Sequence, residues 1–149
     1  MTSPIDAWHE VVRSRDMAKL NALLADDVVF HSPVVHTPQR GKAITSLYLA
    51  GAMHVLNSEH FRYEREIVGE HDALLEFVTE LDGLLINGVD LIRWNEAGQI
   101  VDFKVMVRPL KAPSVASTKP DSLSVSEWMA TCTSISSATD RQQSMAAGV

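Results

Sequence analysis

Apolar residues along this chain change their spacing part-way, from the helical period to strict alternation, and the change orders the elements. Ile5, Trp8 and Val12 fall at i, i+3 and i+7, one face of a helix. Ser3 is placed to cap that helix, Pro4 suits its first position, and Asp6 sits favourably in its first turn. Met17, Leu20 and Leu24 form a second stripe after a break near 14–16. Val28-Val29-Phe30-His31-Ser32 is β-branched and aromatic and stops at Pro33, which predicts a short strand. Pro38 and Gly41 bracket a loop. Ile44, Leu47, Tyr48, Gly51, Ala52 and Val55 then make a long helical stripe.

From His60 the period becomes two. Phe61, Tyr63 and Ile67 fit one strand across a charged middle. Ala73, Leu75, Phe77, Thr79 and Leu81 share a face of the next, with Glu76, Glu80 and Asp82 on a solvated face. A turn is expected within 83–88, a strand over Val89–Trp94, a tight turn at Asn95–Gly98, and a last strand over Gln99–Val107, stopped by Pro109. Helices first, then strands joined mainly by hairpins, predict an α+β fold on an antiparallel sheet. No internal repeat is visible.

The end of the chain changes character. Residues 113–149 form a Ser/Thr/Ala-rich extension to a domain over 1–112. Most of the extension reads as a tail. Ser124 with Glu127 forms a capping box there, and Trp128, Cys132 and Ile135 follow at helical spacing, so a short helix near 124–135 is the alternative.

Bulk properties narrow the partners. A length of 149 residues suits one domain with its own core. A net charge of −6 argues against nucleic acid or an anionic membrane, which both demand a basic footprint. With one cysteine, Cys132, no intrachain disulfide can form, and a reducing compartment is the simpler setting. The opening MTSPIDAWHE lacks the basic start and apolar stretch of a signal peptide, and no apolar run approaches the roughly 20 residues of a membrane span. The cytoplasm is expected.

Two stretches carry a family likeness. One is Ala22-Leu23-Leu24-Ala25-Asp26-Asp27-Val28-Val29-Phe30-His31-Ser32-Pro33, a helix ending in paired aspartates and running into a strand closed by proline. The other is Gly88-Val89-Asp90-Leu91-Ile92-Arg93-Trp94-Asn95-Glu96-Ala97-Gly98-Gln99-Ile100, a strand, a tight turn and the start of another strand. Together, over about residues 4 to 110, the chain resembles the nuclear transport factor 2-like superfamily, especially its polyketide-cyclase-type (SnoaL-like) and ketosteroid-isomerase-like members. The resemblance implies a cone, in which three helices close a strongly bent sheet around a cavity used for apolar ligands. It also implies a homodimer through the outer sheet face, and no cofactor.

The same resemblance places the family's chemistry on particular residues. The carboxylate base of ketosteroid isomerases falls on Ser32, their first-helix tyrosine on Trp8, and their protonated strand aspartate on Asp90, which is retained. A serine without a base beside it cannot abstract a carbon-bound proton, which argues against steroid isomerisation. The Asp-Arg-Asp set of limonene-epoxide-hydrolase-like members falls near Phe77, Thr79 and Val105, and the cyclase acid near Val105; neither chemistry survives those substitutions.

Asp90 is therefore the candidate catalytic residue. Alternation sets it with Ile92 and Trp94 on the concave face. A carboxyl there must find hydrogen bonds or stay protonated. It can act as general acid or oxyanion donor, or it can merely tie the cone together through Trp8, Ser32 or Tyr48. Trp8, Phe30, Ser32, His36, Tyr48, Phe77, Trp94 and Val105 are the expected pocket residues; in the bland reading the apolar ones among them are simply core. His31 is expected to face away from the pocket and His54 to be exposed, while His9, His60 and His71 lack metal-ligand spacing. The leading expectation is a small-molecule protein, and if an enzyme, an isomerase, cyclase or dehydratase. The rivals are a non-catalytic assembly module using the sheet face, and an epoxide hydrolase if an unrecognised carboxylate enters the pocket.

Overall fold

A computed structural model describes residues 2–81 and 83–109. The chain opens with helix α1 (Pro4–Ser14), and its start is set by a capping box. Asp6 N–H donates to Ser3 Oγ at 3.1 Å, and the Asp6 carboxylate accepts from the Ser3 backbone in return. Arg15 ends the helix in the left-handed conformation, φ 56°, and its N–H reaches Val11 O. Asp16 then caps helix α2 (Met17–Leu23) by accepting from Ala18 and Lys19 N–H. Strands β1 (Leu24–His31) and β2 (Gln39–Arg40), helix α3 (Lys42–Leu56) and strands β3 (Arg62–Val68), β4 (Asp72–Leu81), β5 (Leu84–Trp94) and β6 (Ile100–Arg108) follow.

The six strands form one open sheet in the order β2-β1-β6-β5-β4-β3. The α+β expectation stands, but the sheet is mixed: β1 and β6 run parallel, with Phe30 opposite Phe103 and His31 opposite Lys104. Hairpins fix the directions of β3 to β6. They say nothing about β1, which is separated from β6 by α3 and four strands, so local signals could not give that pairing. The loop expected around Pro38 also contributes β2, which pairs Gln39 with Phe30.

The turn expected within 83–88 falls at the very start of that stretch. Leu81 pairs with Leu84, and Gly83 has φ 79°, so the hairpin closes at the start of that stretch and β5 runs straight through Asn87-Gly88. An Asn-Gly pair ordinarily marks a hairpin turn. Here Gly88 lies opposite Phe77, and a Cβ on it would stand 2.2 Å from Phe77 Cζ. The glycine is required by close packing, not by a bend.

A bulge between Tyr63 and Arg65 corrects a second expectation. Tyr63 pairs with Phe77 on the inner face, but beyond the bulge Ile67 pairs with Leu74 on the outer face and is exposed. Leu47 and Met17, expected on buried stripes, are also exposed. The core packs α1 and α3 onto the concave face. Phe30 stacks on Tyr48 with ring centres 5.1 Å apart, and Trp8 meets Phe103 edge-on at 4.8 Å. Burial of each such ring contributes about 1.5–3 kcal/mol. No helix among the described residues is long and apolar enough to cross a membrane. The helix expected near 124–135 lies outside the described residues.

Candidate functional site

Three side chains from separate elements form a hydrogen-bonded line into the cone. Trp8 Nε1–H, on α1, donates to the Tyr63 hydroxyl at 2.9 Å. Tyr63, on edge strand β3, donates in turn to Asp90 Oδ2 at 3.0 Å. Asp90 sits in the middle of β5, paired with Leu75 on one side and Val105 on the other, and only 6% of it is exposed. Among the described residues Tyr63 is the hydrogen-bond partner of the Asp90 side chain, which leaves Oδ1 without one.

The electrostatics follow from that burial. Withdrawal from water pushes the Asp90 carboxyl up to about 7, against the opposing pull of the Tyr63 hydrogen bond. The Tyr63 hydroxyl is held well above its ordinary value, by burial first and then by the neighbouring Asp90 charge. Tyr63 is therefore a fixed donor. Asp90 takes up a proton more readily than an ordinary aspartate, because burial disfavours its charged form.

Beside Asp90 lies a cavity of about 40 Å³, whose walls include Trp8, Leu49, Met53, Tyr63, Phe77, Phe103 and Val105. A water needs roughly 10–15 Å³ of such space, so the cavity holds a few waters at most. A bound metabolite would require more. The cone is thus largely filled by side chains, and a ligand must displace some of them.

The structure divides the expected pocket residues. Trp8, Phe77, Asp90 and Val105 line the cavity. Phe30 and Tyr48 are buried against each other away from it, and Trp94 is buried four residues further along the Asp90 strand. Ser32 and His36 do not line it. β1 stops at His31, so alternation no longer governs Ser32, and its Oγ accepts from Val34 N–H at 3.1 Å and Val35 N–H at 3.3 Å within its own loop. His36 is exposed. Nor does Trp8, Ser32 or Tyr48 bond Asp90 directly; Trp8 reaches it only through Tyr63. Tyr63 was visible as a strand residue, but its place beside Asp90 depends on cross-strand register and on the bulge.

The remaining candidates lie outside the cone. His31 turns to the outer face, where its Nε2 is 3.0 Å from Asp102 Oδ2. His54 is exposed, and His9 pairs with Glu66 at 3.0 Å. Among the described residues no three His, Cys, Asp or Glu side chains cluster as metal ligands, and Asp90 is the one carboxylate lining the cavity. Epoxide hydrolysis thus finds no second carboxylate there.

Known proteins share this architecture. Residues 5–103 match the family model described as SnoaL-like domain. A bacterial protein with a cystatin-like fold from Silicibacter pomeroyi is 38% identical, with a TM-score of 0.67 over 74% of this chain and 77% of that one. A steroid delta-isomerase from Pseudomonas aeruginosa is 29% identical, with a TM-score of 0.68 over 95% of this chain and 92% of that one. A Mycobacterium tuberculosis protein in complex with estradiol-17beta-hemisuccinate shares the fold at 21% identity, with a TM-score of 0.55 over 70% of this chain and 98% of that one. No curated protein matches the chain.

Proposed function

From the premise that this chain belongs to the SnoaL-like domain family, with its nuclear transport factor 2-like fold, we propose that the cone binds a small, mostly apolar molecule carrying an oxygen. The supporting observation is Asp90, a buried carboxyl at an apolar wall, with Oδ2 held by Tyr63 and Oδ1 unpartnered among the described residues. Below pH about 7 its proton is a hydrogen-bond donor to a carbonyl or hydroxyl oxygen. A donor fixed in a dry site stabilises charge developing on that oxygen far better than water does. The similar structures named as a steroid delta-isomerase and as a complex with a steroid hemisuccinate support ligands of this chemical kind.

Isomerisation, cyclisation or dehydration of a bound carbonyl compound are the reactions such a donor serves, because each develops charge on an oxygen. All of them also need a base. Ser32 is turned into its own loop, and no second carboxylate lines the cavity among the described residues. Ligand binding therefore ranks ahead of turnover. The test is native mass spectrometry of the full chain purified from its own host. A stoichiometric small-molecule adduct is expected, diminished in Asp90→Asn. A wild-type chain with no adduct, and no uptake of the neutral probe N-phenyl-1-naphthylamine, overturns the reading.

A second reading, homodimer assembly through the outer sheet face, has its own observation. Ile67, Leu85 and Met106 are large apolar side chains exposed on that face. Exposed apolar side chains on a sheet face can contribute to an interaction surface.

A further inference from the structure

The cavity beside Asp90 adjoins an external groove of about 360 Å³. Val12, Asn57, Phe61 and Tyr63 line both spaces, so these four side chains form the partition between the apolar interior and the groove. The rest of the groove is basic. Arg13, Arg15 and Arg62 line it with His9, and among the described residues no carboxylate does. Glu66, Glu10 and Glu64 pair with His9, Arg13 and Arg62, so among the described residues the uncompensated positive charge of this mouth rests on Arg15. A concave cationic surface beside low-dielectric walls concentrates anions.

The three guanidinium groups differ in freedom. Arg13 is paired with Glu10, and Arg62 Nη2 lies 2.7 Å from Glu64 Oε1. Arg15 donates to the backbone carbonyl of Asn57, a neutral acceptor, and keeps its charge uncompensated by any carboxylate among the described residues. Its position is fixed by the chain. Arg15 closes α1 in the left-handed conformation, and Asn57, closing α3, donates its side-chain amide to Val12 O at 2.7 Å. The ends of the two helices are thus tied together at the partition, with Arg15 on the groove side.

We propose that the ligand of the cone is an amphiphile with an anionic end, a carboxylate, sulfonate or phosphate, received by Arg15 with help from Arg62. Its apolar body passes between Val12 and Phe61, and its oxygen-bearing end reaches Asp90. The inference rests on the cone being a ligand site and adds which molecules it selects. Arg15 is a specificity residue in this scheme, remote from Asp90.

Two fluorescent probes with the same aromatic body separate the claims: 1-anilinonaphthalene-8-sulfonate, which is anionic, and N-phenyl-1-naphthylamine, which is neutral. Titrated into the full chain, both are expected to bind and displace one another, with the sulfonate favoured. Arg15→Asn suits the left-handed backbone and removes the charge; it should cut the ratio of sulfonate to naphthylamine affinity about fivefold, as should raised salt. Arg15→Lys should restore most of the preference. Equal affinities, or a preference indifferent to both Arg15→Asn and salt, overturn the anion site and leave the cone reading intact. Sulfonate that binds without displacing naphthylamine also overturns it. Failure of both probes to bind removes the cone reading and this inference together.

Discussion

The Tyr63 hydroxyl donates to Asp90 Oδ2 across 3.0 Å, so a residue of the sheet's edge strand orients a carboxyl at its interior. Tyr63 in turn accepts from Trp8, and the line ties α1, β3 and β5 into one unit. Tyr63→Phe should therefore leave two buried groups unpaired at once. A stability loss of about 1–3 kcal/mol is expected from urea unfolding. Because the Tyr63 hydrogen bond lowers the Asp90 pKa, its removal should raise the Asp90 titration midpoint, read by carboxyl carbon NMR. A midpoint that falls or stays put would show that Asp90 is held by something else.

Asp90 also sets a pH dependence with an unusual sign. Its folded pKa, about 7, lies above the roughly 3.9 of an unfolded aspartate, so the folded chain binds the extra proton between those values. Stability from this group is full below pH about 4 and declines until about 7, for a change on the order of a few kcal/mol. The unfolding free energy at pH 5 minus that at pH 8 should be larger in wild type than in Asp90→Asn, which cannot titrate. Glu10, held down to about 2 by Lys19 and Arg13, is ionised at both pH values and drops out. Identical pH slopes in the two proteins would place the Asp90 pKa in the ordinary carboxylate range.

Gly88→Ala should destabilise by about 1–3 kcal/mol, since the new methyl meets the Phe77 ring inside van der Waals contact. Phe77→Leu in the same chain should recover part of that loss. The measurement is a double-mutant cycle by denaturant, and a coupling energy near zero would mean that the ring does not restrict this position.

Leu85→Glu with Met106→Glu tests assembly through the outer face, where both are exposed and distant from the Asp90 line. Sedimentation should show the wild type as a dimer and the double variant as a monomer with unchanged naphthylamine binding. A monomeric wild type would end the dimer proposal.

Local pattern made most elements legible before any coordinates. Ser3, Pro4 and Asp6 located the start of α1, and the alternation from Ala73 to Leu81 gave β4 and its inner face. What escaped was set by partners remote in sequence. The parallel β1–β6 contact, the Ile67 flip beyond a bulge, and Asn87-Gly88 held extended under Phe77 all depend on which strand lies alongside. The candidate site divides in the same way. Asp90 stood out because its type is unusual on an apolar face, whereas Tyr63 looked like any strand aromatic until register brought it to that carboxyl. Ser32 misled because a strand was extended one residue past its end.

The parallel pairing of β1 with β6 bears on how the chain reaches its native state. Leu24 must find Ile100, and the ring of Phe103 completes the packing of both Trp8 and Phe30. During synthesis the amino-terminal helices and first strand leave the ribosome before Phe103, and contacts with β2 and α3 cover only part of their apolar faces. Pairings between distant segments are slow to form because a long loop must close first. Completion of the core thus waits for β6, and a chain cut before Ile100 should remain open and prone to aggregate.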